Sequence, residues 1–309
     1  MAEIEVWRGG VNMWELDDNH HMNVRFYVQR VMEGLVGLAA ALGLPDAFRP
    51  LADTTLIIRE KHIRFLREAM SRAPLHMTAG VMEMDEINAR VLFLIHHSLT
   101  GELAAAFQMV VGHVHAESLE PRHWPHHARQ AAEDLKVEVP ERAAPRSVRL
   151  GPVESIAGMD AALRLNLTHL SGGAFLAHDC DVFGRMRPEQ FIARVSDGIP
   201  RLSATFRSTV AENAEAPPAR VGGAVLEYRI IHLAWPRIGD RFEVRSGVAG
   251  FDERAQRMVH WMVDPASGGA WATSEAYAVS LDLDARKIIP ITGEARERML
   301  SRVTPGLAL

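Results

Sequence analysis

Residues 20–35, HHMNVRFYVQRVMEGL, and residues 184–199, GRMRPEQFIARVSDGI, can be laid over one another without a gap. Met22 then falls on Met186, Tyr27 on Phe191, Arg30 on Arg194, Val31 on Val195 and Gly34 on Gly198. In the same register Asp17 falls on Asp181, an offset of 164 residues (181 − 17). An internal repeat constrains a fold more tightly than composition does, because each copy has to be one structural unit. In a chain of 309 residues it predicts two domains, 1–145 with a connector and 146–309, each of ordinary domain size.

The flanking elements repeat in the same order. In the first half a strand-like stretch, VWRGGVNMW, leads into the polar loop WELDDNHHMN. Residues 23–43 follow, with Phe26, Tyr27, Val31, Leu35, Leu38, Ala39 and Leu42 near helical period. Asn23 suits an N-cap, and Gly43-Leu44-Pro45 a stop. TTLIIREKHIRFL, LHMTAGVMEM, ARVLFLIHHSL and ELAAAFQMVVGHVH then read as strands with partial alternation. In the second half GAFLAH reads as the strand, and Pro188 suits a first helical position. The helix runs to about Phe206, with Pro200 predicting a kink or break. GGAVLEYRIIHLAW, DRFEVRSGVAGF, QRMVHWMVD and GAWATSEAYAVSL complete that half as strands. Residues 116–150, with several prolines and charges, read as a connector holding a short helix near 125–135. The expected class is α+β: one strand, one long helix and four strands, written twice.

A net charge of −5 with scattered basic residues gives no footprint for nucleic acid. The apolar runs LVGLAAALGL and VLFLI are too short to span a bilayer, so no membrane partner is expected. The single cysteine, Cys180, excludes an internal disulfide; with no secretory pattern in MAEIEVWRGG, a cytoplasmic protein is expected. His113 and His115, and the histidines of HWPHH, have no cysteine or acid completing a ligand spacing, so no metal is expected. There is no G-x-S-x-G elbow, P-loop or strand-linked G-x-G-x-x-G, and no organic cofactor is implied. Cys180 fits a small packed side chain better than a nucleophile.

The polar loop reads Glu15-Leu16-Asp17-Asp18-Asn19-His20-His21-Met22-Asn23 and then Tyr27; its counterpart reads Asp179-Cys180-Asp181-Val182-Phe183-Gly184-Arg185-Met186-Arg187 and then Phe191. Both resemble the D-x-D-x-x-G-H-x-N signature of the 4-hydroxybenzoyl-CoA thioesterase-like acyl-CoA thioesterases, which have the hotdog fold. WPRIGDRFEV, residues 235–244, resembles the P-x-x-G-D turn of the same proteins. The resemblance implies two tandem hotdog units, each a long helix wrapped by an antiparallel sheet, packed as a pseudo-dimer, with further homo-oligomers possible. It also implies an acyl-CoA substrate. The departures are His20 in place of Gly in the first half, and Arg185 and Arg187 in place of His and Asn in the second.

Thioester hydrolysis needs an activated water or nucleophile and stabilisation of an oxyanion. The leaving thiol, with a pKa near about 8.5, departs without a strong acid. One carboxylate can therefore act as general base or nucleophile, and backbone N–H groups at a helix start can hold the oxyanion. An acid just before a helix supplies both. Asp17 and Asp181 are thus the candidate catalytic residues. His21, Asn23, Tyr27, Gly184 and Arg185 are candidate substrate contacts, although Asn23 also suits a cap and Tyr27 the core. Arg59, Lys61, Arg64, Arg67 and Arg72 offer charge for CoA phosphates. Two rivals stand beside hydrolysis. One is a hydratase, whose D-x-N-P-x-H pattern DDNHH only partly resembles. The other is an acyl-CoA-binding protein without activity.

Overall fold

The computed structural model describes residues 3–212 and 218–309, with the backbone alone for 201–212. By contacts the chain divides into two compact units, one of residues 1–145 with 177–189 and the other of 146–176 with 190–309. In the first, β1 (Ile4–Gly10) precedes α1 (Val24–Ala41), then β2 (Thr54–Phe65), β3 (Pro74–Met84), β4 (Asn88–His97), β5 (Leu103–His115) and the short α2 (His126–Asp134). Its strands lie antiparallel in the order β1-β3-β4-β5-β2. α1 forms because its apolar residues share one face: Val28, Val31, Leu35 and Leu38 have no exposed surface. Each such burial contributes about 1.5–3 kcal/mol of gross transfer energy. The helix lies close to the sheet because Gly34 and Gly37 face it. A Cβ on Gly34 would come within 2.6 Å of Met77 and 3.4 Å of the Phe93 ring.

The second unit holds α3 (Met159–Arg164), β6 (Thr168–Ala174), α4 (Glu189–Glu212), β7 (Val221–His232), β8 (Arg241–Phe251), β9 (Gln256–Val263), β10 (Ala270–Asp282), β11 (Lys287–Ile288) and α5 (Gly293–Leu300). Its order, β6-β8-β9-β10-β7 with β11 on β10, repeats that of the first. Each unit is thus a long helix on its own antiparallel sheet. Four local expectations are corrected. The strand before the second loop is Thr168–Ala174, not GAFLAH, because the pair Gly172-Gly173 and a largely exposed face hide its alternation. Glu189 opens α4, one residue after Pro188, and the helix continues through Pro200 to Glu212. α3 and α5 were not foreseen, being too short for a periodic signal. Among the described residues, no helix is long and apolar enough to cross a membrane.

Residues 177–189, which carry Asp181, pack with the first unit rather than the second. Arg185 donates through Nη1 to the carbonyl of Ala116, just past β5, at 3.4 Å. From β2, Lys61 donates through Nζ to the carbonyl of Pro188 at 3.2 Å. Lys61 has no exposed surface, which removes it from the candidate surface cations. Burial pulls its ammonium down to about 7, opposed by the nearby Glu189 carboxylate. Arg187 also reaches Glu189, at 3.4 Å.

Two outcomes are expected. Gly198, the counterpart of Gly34, sits where a Cβ would lie 2.6 Å from both Cβ and carbonyl oxygen of Leu170. Gly198→Ala should therefore destabilise the protein by about 1–3 kcal/mol, read from denaturant midpoints; an unchanged midpoint would mean that α4 rides higher on its sheet. For Lys61 the pKa is lower folded than unfolded, so between pH 7 and 10.5 the unfolded chain binds more protons. Native stability then rises with pH across that window. A Lys61→Met variant should show its greatest relative stability at or below pH 7, and lose it by up to about 1.4 kcal/mol per pH unit above. Unfolding curves at pH 7, 8 and 9 with a constant difference would contradict a strained buried ammonium.

Candidate active site

The two acid loops are the same structure. Asp17 accepts through Oδ1 from the backbone N–H of Asn19 at 2.9 Å and of His21 at 3.0 Å. Asp181 accepts through Oδ1 from Phe183 at 2.9 Å and from Arg185 at 3.0 Å. Leu16 bridges Met22 as Cys180 bridges Met186, and Asn23 N–H reaches the Glu15 carbonyl as Arg187 N–H reaches that of Asp179, at 2.8 and 2.9 Å. His20 and Gly184 occupy the same left-handed backbone position, with φ of 63° and 74°. Glycine takes that position freely, whereas a Cβ strains it. The His20 side chain is exposed, so it leaves the loop's path unchanged.

The remaining carboxylate oxygens differ. Oδ2 of Asp181 is held by the Arg185 guanidinium, from Nε at 3.1 Å and Nη2 at 3.0 Å. Arg185 is itself 3% exposed and lies over the Phe183 ring at 4.5 Å. Oδ2 of Asp17 accepts no hydrogen bond among the described residues. The first loop thus presents one carboxylate oxygen fixed by two amides and one open. The second presents a carboxylate whose two oxygens are both engaged.

Around Asp17 the other candidates take structural positions. Asn23 caps α1, its Oδ1 accepting from Arg25 N–H at 3.0 Å. Tyr27 is buried, its ring edge-on to Phe65 at 5.4 Å between centroids. Its hydroxyl bonds the Ala69 backbone, and burial pushes the phenol well above its ordinary pKa. His21, 8% exposed, lies 3.3 Å through Nε2 from Glu68. Bridges from His21 to Met70 and from Met22 N–H to the Ala69 carbonyl stitch the loop to residues 69–70.

Sequence reasoning missed the anchor beneath the loop. Glu15, 1% exposed, accepts from Asn12 N–H at 2.7 Å and forms an ion pair with Arg30 of α1. Its counterpart Asp179 is 3% exposed. The signal was present, since the repeat offset places Glu15 on Asp179 and Arg30 on Arg194. Of the other cations, Arg59 bonds Asn88 at 2.8 Å, Arg64 the Ala144 carbonyl at 2.7 Å and Arg67 the exposed Glu102 at 2.9 Å. Arg8, Arg30 and Arg72 line an open groove beside β1 and the loop. His113 is buried, its Nδ1 3.2 and 3.1 Å from the carbonyls of Arg122 and His123, and its ring stacks on Trp124. Among the described residues, no cluster of His, Cys, Asp or Glu has the placement to hold a metal ion.

The fold is shared over the full tandem with solved structures. One is described as the 12:0-ACP thioesterase from Umbellularia californica. It aligns with a TM-score of 0.68 and 11% identity over 90% of this chain and 94% of that one. Another is described as an acyl-ACP thioesterase from Bacteroides thetaiotaomicron. It aligns with a TM-score of 0.63 and 9% identity over 90% of this chain and 98% of that one. No curated protein matches the sequence. The family described as the thioesterase-like superfamily matches twice, over residues 11–141 and 175–299, so that each acid loop lies inside a match. This chain belongs to the thioesterase-like superfamily, in a tandem form with both copies on one polypeptide.

Proposed function

We propose that the protein hydrolyses the thioester of an acyl-CoA to the free acid and CoA, with Asp17 as the working carboxylate. The observation that carries this reading is the open Oδ2 of Asp17 on a loop whose other oxygen is pinned by Asn19 and His21 N–H groups. A carboxylate so held keeps its direction without rearranging, and its free oxygen can take a proton from water or attack the carbonyl. Backbone N–H groups at the start of α1, with the partial positive charge of the helix end, supply the oxyanion donors. His21 and Tyr27 hold the loop and helix start in place. Asp181 serves in the docking of residues 177–189, because its pairing with Arg185 leaves it no oxygen for proton transfer. No metal or organic cofactor takes part in these steps.

An acyl carrier protein could bring the same thioester, as the descriptions of the two similar structures suggest. Met13 and Trp14, 67% and 75% exposed just before the loop, would suit a protein carrier better than a nucleotide. The chemistry at Asp17 is common to both.

Thiol release from a panel of short, long and aromatic acyl-CoAs tests hydrolysis, and the same acyl groups on a carrier protein decide the donor. A hydratase would leave the thioester intact, and a binding protein would release nothing. Asp17→Asn keeps an oxygen for the two amides and should lower turnover by about 10²–10⁴ with the fold retained. Asp17→Ala should in addition cost about 1–3 kcal/mol, since both amides lose their acceptor. Asp181→Asn should lower turnover less than tenfold. Wild-type turnover in Asp17→Asn, in a preparation shown to be active, would remove Asp17 from the reaction.

A further inference from the structure

At the end of β1 the first unit carries an open groove of about 450 Å³, lined by Trp7, Arg8, Arg30 and Arg72 over the bare backbone of Gly9 and Gly10. No carboxylate is among the residues lining it. Arg30 belongs to the wall: its guanidinium lies over the Trp7 ring at 5.4 Å and is paired with Glu15 and Glu33. Arg8 is paired with Glu5, and both side chains are well exposed, so an incoming anion can compete for that guanidinium. No hydrogen bond or ion pair engages the Arg72 guanidinium among the described residues. The groove thus offers two guanidiniums to a ligand.

The second unit lacks both. Arg8 of β1 stands opposite His76, and Gly172 of β6 opposite Glu243, so Arg8 is answered by Gly172 at the loop offset of 164 (172 − 8). β3 begins at Pro74 and β8 at Arg241, an offset of 167 (241 − 74) that sets Arg72 against Gly239. Both of these residues have a left-handed backbone, with φ of 66° and 93°. Glycine takes that conformation freely, whereas the Cβ of arginine strains it. A strained position that keeps a long charged side chain points to a use for that side chain. The two guanidiniums therefore belong to the repeat whose motif Asp has an open oxygen. They are missing from the repeat whose Asp has both oxygens engaged.

Groove and acid loop are also joined. Asn12, which lines the groove as well, donates its N–H to Glu15 beneath the loop. Next to Arg72, Ser71 donates to Met13 at 2.9 Å, and Met70 bridges His21. Asn12 lies five residues before Asp17, a separation of at most about 18 Å. The pantetheine arm of CoA, an extended chain with two amide links, spans a gap of that order. We infer that the groove holds the phosphates at the nucleotide end of an acyl-CoA whose thioester lies at Asp17, with Arg8 and Arg72 as the phosphate-binding side chains. Guanidinium forks match pairs of phosphate oxygens, whereas an acyl chain would meet charged walls there. The inference rests on the thioester-hydrolase reading for the position of the thioester, and on the groove alone for its affinity for phosphate.

Calorimetry with the full chain and adenosine 3′,5′-bisphosphate, which carries phosphates at the 3′ and 5′ positions as CoA does but has no arm, tests the groove by itself. The bisphosphate should bind more tightly than inorganic phosphate, and less tightly as salt rises. Arg8→Gln/Arg72→Gly removes both charges and relieves the backbone at 72; it should weaken binding about tenfold or more with the fold retained. Arg8→Gln/Arg72→Gln, which keeps side chains of similar length, should do the same. In hydrolysis, the acyl-CoA cleaved fastest is compared with the N-acetylcysteamine thioester of the same acyl group, which has no phosphate. The ratio of their kcat/KM values should fall about tenfold or more in the variants, chiefly through KM of the CoA ester. Bisphosphate binding that is equal in wild type and variants, or no tighter than that of inorganic phosphate, would overturn the inference. So would weakened binding with an unchanged kcat/KM ratio, which would detach the groove from the thioester. Should no acyl-CoA release thiol, the hydrolase reading fails by itself, and the calorimetry still decides the groove.

Discussion

Two backbone amides bound to one carboxylate oxygen are the interaction on which the site depends. In each loop the motif Asp draws in the N–H groups two and four residues on, and this closes the turn that brings the chain to its helix. A carboxylate used in this way contributes to the turn with Oδ1 and leaves Oδ2 outside it. Whether Oδ2 is available then turns on a single neighbour. His21 follows the turn in the first loop and reaches sideways to Glu68; Arg185 at the matching position folds back on the acid itself. One side chain therefore separates a carboxylate with an open oxygen from one with both oxygens engaged, on nearly identical backbones.

The ion pair of the buried Glu15 with the partly buried Arg30 explains how such a loop stays fixed although Met13 and Trp14 beside it are exposed. Desolvating the Glu15 carboxylate is expensive, and it is offset because Asn12 supplies a further donor beside Arg30. Arg30 belongs to α1, so the ion pair fastens the loop to the helix whose N-terminus it precedes. The ion pair thus joins loop to helix, and the core packing of Val31 and Leu35 holds the helix against its sheet.

Much of this was legible in the sequence. The offset of Asp17 and Asp181, the N-cap at Asn23 and the glycines at 34 and 198 all follow from residue spacing, because loop and helix obey short-range rules. The strand β6 was displaced because its two glycines resemble a turn. The roles of Asn23 and Tyr27 as cap and core follow from their positions on α1, whereas the grip of Arg185 on Asp181 depends on a rotamer that spacing does not dictate. The position-by-position match of the two sheets was hidden for another reason. At the loop offset His260 aligns with His96, a half-buried residue bonded to a turn carbonyl, so the halves look alike where their interiors differ most. Only strand pairing reveals that His260 answers Phe93.

The offset is 164 in the loops and helix starts but 167 in the sheets, where the pair Phe93–Phe107 matches His260–Ser274 (260 − 93), and this change has a consequence for how such a chain can vary. The acid loop with the first turns of its helix is one cassette of constant spacing, from Asp17 to Gly34 and from Asp181 to Gly198, and the strand array is a second. The extra residues enter only between them, after Gly198 and before Tyr228. That joint is the natural place for length variation. Segments could be lengthened or exchanged there without shifting the acid loop against the start of its helix or any strand against its neighbour. The two cassettes are in this sense separately replaceable parts, so a sheet can change its interior while the acid loop and the start of its helix keep their geometry.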